Sequence, residues 1–513
     1  MNPPAEAAGM TLGDIVSGNA ARFGNVVAYR SGDRTISHAQ LHQRAAQLVS
    51  AMVTAGVRRQ DRVVIVARNH IGFGEVLAAC YLSGIIAAPI SVRLAAGEMQ
   101  DGIRRVSPSL VFCDDEFAPT VGALLPDGCQ TVVLGPSSEP NHIAYERFLR
   151  SGDLVPSALV AEPGDIALLL FTSGTTGAAK CCMLGHREFY RVAHIMNAEM
   201  RSGADDRALI NMPMFHVGAL AIIAGIHARG GTVVLQSQFD PAEALRLITT
   251  EEISVLHLAP VMLQRLVDQM ESSGQLTSVR TVLYVAAPMT APILRAAMAM
   301  LPGAGFVNLY GQTEAIVSGL PPESHCADAP AALRSVGFPF PGVRLRIVDD
   351  HGNDLPDGQP GEIAVRSDTM FRGYWDDHAA TLNTIRDGWC YTGDVGRIDE
   401  HGLLFLVDRK KDVIITGGEN VYSPELEDVI GEVEGVAACA VVGCADPRWG
   451  EAVCAVVVAA PGTVVTLEVL QDAVRRKLAR FKVPRKLVLL NELPLLASGK
   501  VDKKRLRAMV AQH

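Results

Sequence analysis

The sequence predicts an α/β protein: a large body built on parallel sheets, then a β-rich segment, then a small α+β lobe. Three textures along the chain carry that prediction. Short runs rich in Val and Ile, RVVIVA at 62–67, LVFC at 110–113, TVVL at 131–134 and IALLLF at 166–171, are spaced by longer stretches with helical periodicity. That is the rhythm of buried parallel strands with crossover helices. From about residue 335 the texture changes to hydrophobic pairs punctuated by Gly and Pro, and after Asp408-Arg409-Lys410-Lys411 it changes again.

The elements follow in order. Segment 41–55, LHQRAAQLVSAMVTA, places apolar residues three and four apart, and Gly56 stands where a helix stops. The strand at 62–67 comes next, as a helix–strand unit requires. The most apolar stretch, 76–92, is broken by Ser83, Gly84 and Pro89 and is shorter than the roughly 20 residues that span a bilayer, so no transmembrane helix is expected. In VRLRIVDDHGNDLPDGQPGEIAV, His351-Gly352-Asn353 and Asp357-Gly358 are turn signals between short antiparallel strands. The tail predicts a helix over 424–433, strands VAACAVVG and AVCAVVVAA, and a basic helix near 467–480, which together read as a separate lobe.

At 513 residues the chain holds about three domain-sized units, which excludes a lone binding module. With 49% hydrophobic and 20% charged residues it is an ordinary globular composition, and 46 basic against 55 acidic residues give −9, which excludes a generally cationic surface for nucleic acid. Ten cysteines form no CxxC pair, so neither structural zinc nor a disulfide frame is expected. MNPPAEAAGM has no basic residue before an apolar stretch, so a cytoplasmic location is expected.

Several segments could carry chemistry. In LLLFTSGTTGAAK, 168–180, an apolar run feeds a Gly/Ser/Thr loop ending in Lys180, and such a loop offers N–H groups and hydroxyls to phosphate oxygens. It differs from the GxxxxGK[ST] loop in spacing, and by composition alone a plain turn is the competing reading. NLYGQTEA, 308–315, combines an aromatic able to stack on a base (Tyr310), a hydroxyl for a phosphate (Thr313) and a carboxylate for a hard cation (Glu314), against a solvated turn. In 388–422, Asp394 follows a Gly turn and Arg409 precedes two lysines. A carboxylate suits the two hydroxyls of a ribose and an arginine can reinforce it, though each residue alone is as well explained by a solvated surface.

Taken in order, TSGTTGxxK, YGxTE, YTGD, DRKKDVIITGGENVYSPE and SGKVDK resemble the class I adenylate-forming enzymes, the AMP-binding superfamily, and most closely its acyl- and aryl-CoA synthetases of the fatty-acid–CoA ligase type. The resemblance runs from LVSAMVTAGVRRQDRVVIV near the start to SGKVDKKRLR near the end. It implies an N-terminal domain over 1–407 made of two α/β subdomains plus a small β-barrel-like unit, a hinge at 408–411, and a mobile α+β domain over 412–513. It also implies a ligase using ATP, magnesium and coenzyme A: a carboxylate attacks the α-phosphorus of ATP, and a thiol then displaces AMP from the acyl-adenylate. Thr172, Ser173, Gly174, Thr175, Thr176, Gly177 and Lys180 match the triphosphate loop. Ala287 and Pro288 match the adenine-side wall, Tyr310 with Gly311 the adenine-stacking turn, Thr313 the α-phosphate contact, Glu314 the magnesium carboxylate, and Asp394 with Arg409 the ribose pair. Lys500 matches the adenylation lysine, Lys411 the hinge, Gly418 the glycine beside the pantetheine channel, and His216 the histidine beside the reacting carboxylate. An aspartate at that last position marks amino-acid-activating members, so His216 disfavours amino acid substrates.

Departures from the pattern are informative. Ala179 and Cys181 replace a stiffening proline and a glycine around Lys180, and in YVAAPM Val285 and Ala286 stand where a glycine pair is usual. The latter predicts a narrowed acid pocket that favours a compact acid over a long straight chain. The stretch RRKLARFKVPRK, 475–486, is read as a solvated helix face or a contact to the phosphates of coenzyme A rather than a nucleic-acid or anionic-membrane site. The resemblance leaves an acyl-AMP ligase that loads a separate carrier protein as the rival, since no carrier domain follows before His513, and a non-catalytic nucleotide-binding relative as a further one. A monomer or homodimer, with small molecules as partners and a place in fatty acid metabolism, is expected from the same resemblance.

Overall fold

Short apolar strands, such as Leu110–Cys113, buried throughout, and Arg62–Val66, buried beyond Arg62, have no polar face to give to water, so they must be covered on both sides. The computed structural model describes residues 10–125, 128–135, 142–153, 159–172, 179–270, 276–285, 287, 289, 291–325, 332–495 and 501–511. Helix His38–Thr54 shows the local logic. Ser37 and Gln40 form a reciprocal cap, Leu41, Ala45, Leu48, Val49 and Met52 make its buried stripe, and the chain leaves through Gly56 at φ +91°.

The chain divides into two compact units, Met1–Leu345 with Val365–Cys390, and Arg346–Ala364 with Tyr391–His513. The first holds two large sheets. One orders Ile143–Ala144, Gln130–Val133, Leu110–Cys113, Arg62–Val66, Ile86–Pro89, Ile166–Thr172 and Lys180–Gly185. Its strands run parallel except for the last pair. The other places Gly305–Gly311, Thr281–Tyr284, Val255–Leu258, Arg207–Ile210, Thr232–Leu235 and Val27–Ser31 side by side and parallel. It adds antiparallel strands at both edges. These are the two α/β subdomains the sequence leads one to expect.

In the second unit the expected lobe is present. Strands Val436–Asp446 and Gly450–Ala459 form its centre. Helices Ser423–Gly431 and Leu467–Lys477 pack Leu426, Ile430, Leu470 and Val474 on one face, and helix Lys503–Val510 packs Leu506 and Val510 on the other. The turn signals read at 351–353 and 357–358 fall where Gly352 and Gly358 take φ +81° and +82° between strands Arg344–Val348 and Gly361–Arg366. By contacts, 346–364 and 391–407 group with the C-terminal lobe rather than with the body. Among the described residues, no helix is long and apolar enough to cross a membrane.

Candidate active site

Lys180 does not open a helix, as it would after a nucleotide-binding loop of the strand-to-helix kind. It opens the antiparallel strand Lys180–Gly185, directly opposite Thr172 at the end of Ile166–Thr172. The segment from Ser173 through Gly174, Thr175, Thr176 and Gly177 therefore connects the two arms of a β-hairpin and itself lies outside the described residues. Where a proline is usual, the Ala179 carbonyl accepts from Arg105 Nη1 at 2.6 Å. Arg105 is in turn paired with Asp377 at 3.3 Å. The base of the loop is thus pinned by a cation instead of a ring.

Thr313 and Glu314 occupy the tip of a second hairpin, between Gly305–Gly311 and Ile316–Leu320. Its turn closes by the Gln312 amide donating to the Ala315 carbonyl at 2.8 Å. Gly311 is required at its base: a Cβ there would lie 3.0 Å from both the Ala315 oxygen and the Ile316 Cα. Tyr310 is buried to 8% exposure one residue earlier.

The two hairpins meet at a residue that sequence reasoning missed, Tyr374. Its hydroxyl donates to Glu314 Oε1 at 2.7 Å, and the Lys180 ammonium sits 4.6 Å from its ring centre, within cation–π range. Burial, reinforced by the Glu314 charge, drives the phenol pKa far above its ordinary value, so the hydroxyl remains a donor at any physiological pH. The ring packs edge-on against Phe371, whose amide donates to the Glu314 carbonyl at 2.8 Å. Cys182, two residues after Lys180, bridges to Tyr374 through the backbone and hydrogen-bonds to Glu314, and burial holds its thiol protonated. A signal was available in the sequence: RGYW at 372–375 is a lone aromatic pair in a Gly-punctuated segment. Nothing in the sequence tells that it returns to residue 314.

His216 stands at the N-cap position of helix Val217–His227 without a side-chain capping bond, and its ring meets Phe215 at a tilt, 4.7 Å between centres. Val285 follows strand Thr281–Tyr284 and is half-buried, its amide donating to the Leu258 carbonyl at 3.3 Å, while Ala287 is exposed. Ala286 and Pro288 lie outside the described residues, as does Lys500.

Within the second unit, Asp394 and Arg409 face each other across the antiparallel pair Trp389–Ile398 and Leu404–Arg409, 3.4 Å apart from Nε to Oδ1. Beside them the chain is anchored twice within three residues. Lys410 pairs with Glu362 at 2.9 Å and Asp350 at 2.8 Å, whereas Arg507 of the last helix binds the Lys411 carbonyl at 3.2 Å and Asp412 at 2.8 Å. Gly418 completes a two-glycine turn with φ +60° at Gly417 and +85° at Gly418. A Cβ on Gly417 would strike the Trp449 ring at 2.7 Å, but one on Gly418 would meet open space.

A hairpin whose loop is rich in Gly, Ser and Thr and ends at a lysine, a carboxylate turn and an Asp–Arg pair are the parts an adenylate-forming enzyme needs. The AMP-binding enzyme family matches residues 16–375, and the AMP-binding enzyme C-terminal domain matches 425–500. The chain belongs to that family. It is similar to feruloyl-CoA synthase of Amycolatopsis sp., 35% identical over 94% of this chain and 96% of that one. It is also similar to fatty acid–[acyl-carrier-protein] ligase ScoC of Streptomyces coeruleorubidus, 33% identical over 92% of this chain and 91% of its relative. Among solved structures it resembles ATP-bound MatB from Rhodopseudomonas palustris, with TM-score 0.88 and 27% identity over 98% of this chain and 99% of that one. As a member, the chain is an AMP-forming acid–thiol ligase.

Proposed function

We propose that this AMP-binding enzyme joins a compact carboxylic acid to coenzyme A in two steps at one site. The observation that carries the reading is the Lys180–Tyr374–Glu314 junction, which puts a cation at the foot of one hairpin loop and a carboxylate at the tip of another, either side of one buried ring. In the first step a carboxylate oxygen of the acid bonds to the α-phosphorus of ATP and the bond to the β-phosphate oxygen breaks, releasing diphosphate. In the second the thiol sulfur bonds to the acyl carbon, the carbon–oxygen bond to phosphate breaks, and AMP leaves. In-line displacement at phosphorus asks mainly for positioning and charge neutralisation. Thr172, Ser173, Gly174, Thr175, Thr176, Gly177 and Lys180 hold the triphosphate, Tyr310, Gly311, Ala287 and Pro288 hold the base, and Asp394 with Arg409 holds the ribose.

Glu314 is a half-buried hard oxygen donor with one oxygen oriented by Tyr374, which fits a magnesium ion shared with phosphates. The ion would supply charge neutralisation on the leaving diphosphate. Thr313 contacts the α-phosphate, Lys500 bridges the attacking carboxylate and the α-phosphate, and His216 lies beside that carboxylate without the fixed negative charge an amino acid substrate would need. Residues 1–407 act as the nucleotide-binding domain and 412–513 as a mobile lid that pivots at Lys411. The anchors of Lys410 on one side and of Asp412 on the other support a pivot there, and Gly418 then lies beside the thiol channel. Action in the cytoplasm as a monomer or homodimer belongs to the same reading.

The test is coenzyme A-dependent AMP release with ATP and magnesium across short, medium, long, alicyclic and aromatic acids, with Lys500→Ala alongside. Turnover with one acid class, abolished in Lys500→Ala, supports the reading. AMP release that needs no coenzyme A, or none at all, overturns it. The pocket narrowed at Val285 and Ala286 predicts that rates fall with chain length; equal rates from short to very long acids would sink that part. Similarity to a carrier-protein ligase favours one second reading, in which the acceptor thiol sits on a separate carrier protein. Acyl transfer to a phosphopantetheinylated carrier, with coenzyme A inert, would establish it.

A further inference from the structure

His257 is a buried polar side chain with nothing to bind. It sits in Val255–Leu258, the strand between Arg207–Ile210 and Thr281–Tyr284, with Ile210 and Leu283 as its register partners. Alternation along the strand sends Leu256 and Leu258 into the core formed with helices Pro241–Thr250, Pro260–Met270 and Ala291–Met300, and turns His257 to the opposite face. Helix Val217–His227 covers that face: a Cβ built on Gly218 would lie 3.6 Å from His257 Cε1 and 3.8 Å from Nε2. The imidazole is 1% exposed, and among the described residues neither Nδ1 nor Nε2 has a hydrogen-bond partner.

Buried polar groups are normally paired, and leaving both ring nitrogens of His257 empty is costly unless a ligand fills them. The place itself is where ligands gather in such folds, the carboxyl ends of parallel strands. His216 lies two residues before Gly218 on the helix that covers His257, and Val285 binds the backbone of Leu258, the residue after it. Val285 of the acid pocket and His216, read as lying beside the reacting carboxylate, are thus backbone neighbours of the strand and helix that enclose His257, and Gly218 puts no side chain against the ring. Burial pushes the imidazole pKa down to about 4, so at neutral pH the ring offers one N–H and one lone pair and carries no charge. That pattern matches a hydroxyl, which both donates and accepts, or a carbonyl, which accepts.

Resting on the ligase reading above, we infer that the acid this enzyme activates carries, away from its reacting carboxylate, a neutral oxygen that hydrogen-bonds to His257. A purely hydrocarbon tail would leave the imidazole unpaired in the complex as it is in the free chain, so the enzyme discriminates against it. His257 is on this account a specificity residue and takes no part in the phosphoryl chemistry.

Matched pairs of acids test the inference: hexanoate with 5-oxohexanoate, cyclohexanecarboxylate with 4-oxocyclohexanecarboxylate, and 3-phenylpropanoate with 3-(4-hydroxyphenyl)propanoate. In the unaltered enzyme the oxygenated member of at least one pair is expected to win by about 10- to 100-fold in kcat/KM. His257→Leu should bring that ratio to within about threefold, mostly through KM for the oxygenated acid, while His257→Gln, which keeps a donor and an acceptor, should retain part of it. Ratios near one in the unaltered enzyme, or a ratio unchanged in His257→Leu, overturn the inference and leave the ligase reading intact. Should His257→Leu fail to fold, the unaltered ratios and His257→Gln decide. Failure of every acid to release AMP overturns the ligase reading, and this inference with it.

Discussion

Replacing Tyr374 by Phe removes one hydroxyl and little else. The ring stays beside the Lys180 ammonium and against Phe371, so the cation–π contact at 4.6 Å and the edge-on packing at 4.9 Å survive. What goes is the 2.7 Å hydrogen bond to Glu314 Oε1, together with a hydrogen bond from the Thr384 hydroxyl. A hydrogen bond to a charged group contributes about 1.5–3 kcal/mol net, equivalent to about 10- to 150-fold in rate if the whole of it is felt in the transition state. Glu314 is only half-buried, so water takes over part of the role and the expectation falls near the low end, about tenfold on kcat/KM for ATP in acid-dependent diphosphate exchange. Tyr374→Leu removes the cation–π contact as well, about 0.5–2 kcal/mol more, and should be slower by a further several-fold. Magnesium titration separates positioning from folding. If Tyr374 holds Glu314 for the ion, the Phe variant needs more magnesium for half-maximal exchange at an unchanged melting temperature. Exchange within twofold of the parent at every magnesium concentration, or a loss matched by lost stability, would refute the reasoning.

Three other outcomes are expected. Asp394→Asn should raise KM for ATP by about tenfold, as a carboxylate that accepts from both ribose hydroxyls becomes a mixed donor–acceptor, with the coenzyme A step on preformed acyl-adenylate much less affected; initial-rate kinetics of the two half-reactions check it. Lys411→Pro fixes φ between the two anchored stretches and should preserve diphosphate exchange while slowing thioester formation by an order of magnitude or more, read by rapid-quench separation of the steps. Stability should fall as pH drops below about 6.5. Burial pushes His186 to about 4, His227, which also stacks on His38, to about 3, and His257 to about 4. These groups bind protons in the unfolded chain before they can in the folded one, so each withdraws up to about 1.4 kcal/mol per pH unit between 6.5 and its folded value. Urea midpoints at pH 7.5 and 5.5 measure it, and a midpoint that holds or rises at pH 5.5 contradicts the burial of these rings.

The fold was legible wherever one segment decides its own fate. Runs such as 62–67 and 110–113 have no alternative to a doubly covered strand, and the Ser37 cap with Gly56 brackets a helix within three residues of the one expected. The contact grouping of 346–364 was not legible, because it depends on pairings such as Lys410 with Glu362 and Gly393 with Glu362, across 48 and 31 residues. The site divides the same way. Thr172, Lys180, Thr313, Glu314, Asp394 and Arg409 announce themselves through local Gly- and hydroxyl-rich context that a phosphate or ribose would need. Tyr374 and His257 do not: one works only because RGYW folds back 60 residues onto Glu314, the other only because two flanking strands and Gly218 shut it from water.

That contrast bears on how the pocket acquires specificity. On the proposed function, the nucleotide contacts sit in short turns and loops that recur as motifs and tolerate changes such as Ala179, whose carbonyl is held here by Arg105. On the same reading, acid contacts come from side chains on strands or at their ends, such as those at 257 and 285, with no local pattern to mark them. A change of acid therefore requires no change of motif. It requires a different side chain at positions such as half-buried 285, or 257, where burial makes a polar atom answerable to the substrate. The unpaired nitrogens of His257 are a cost the free enzyme carries in each turnover cycle, and only an acid with an oxygen in reach removes it.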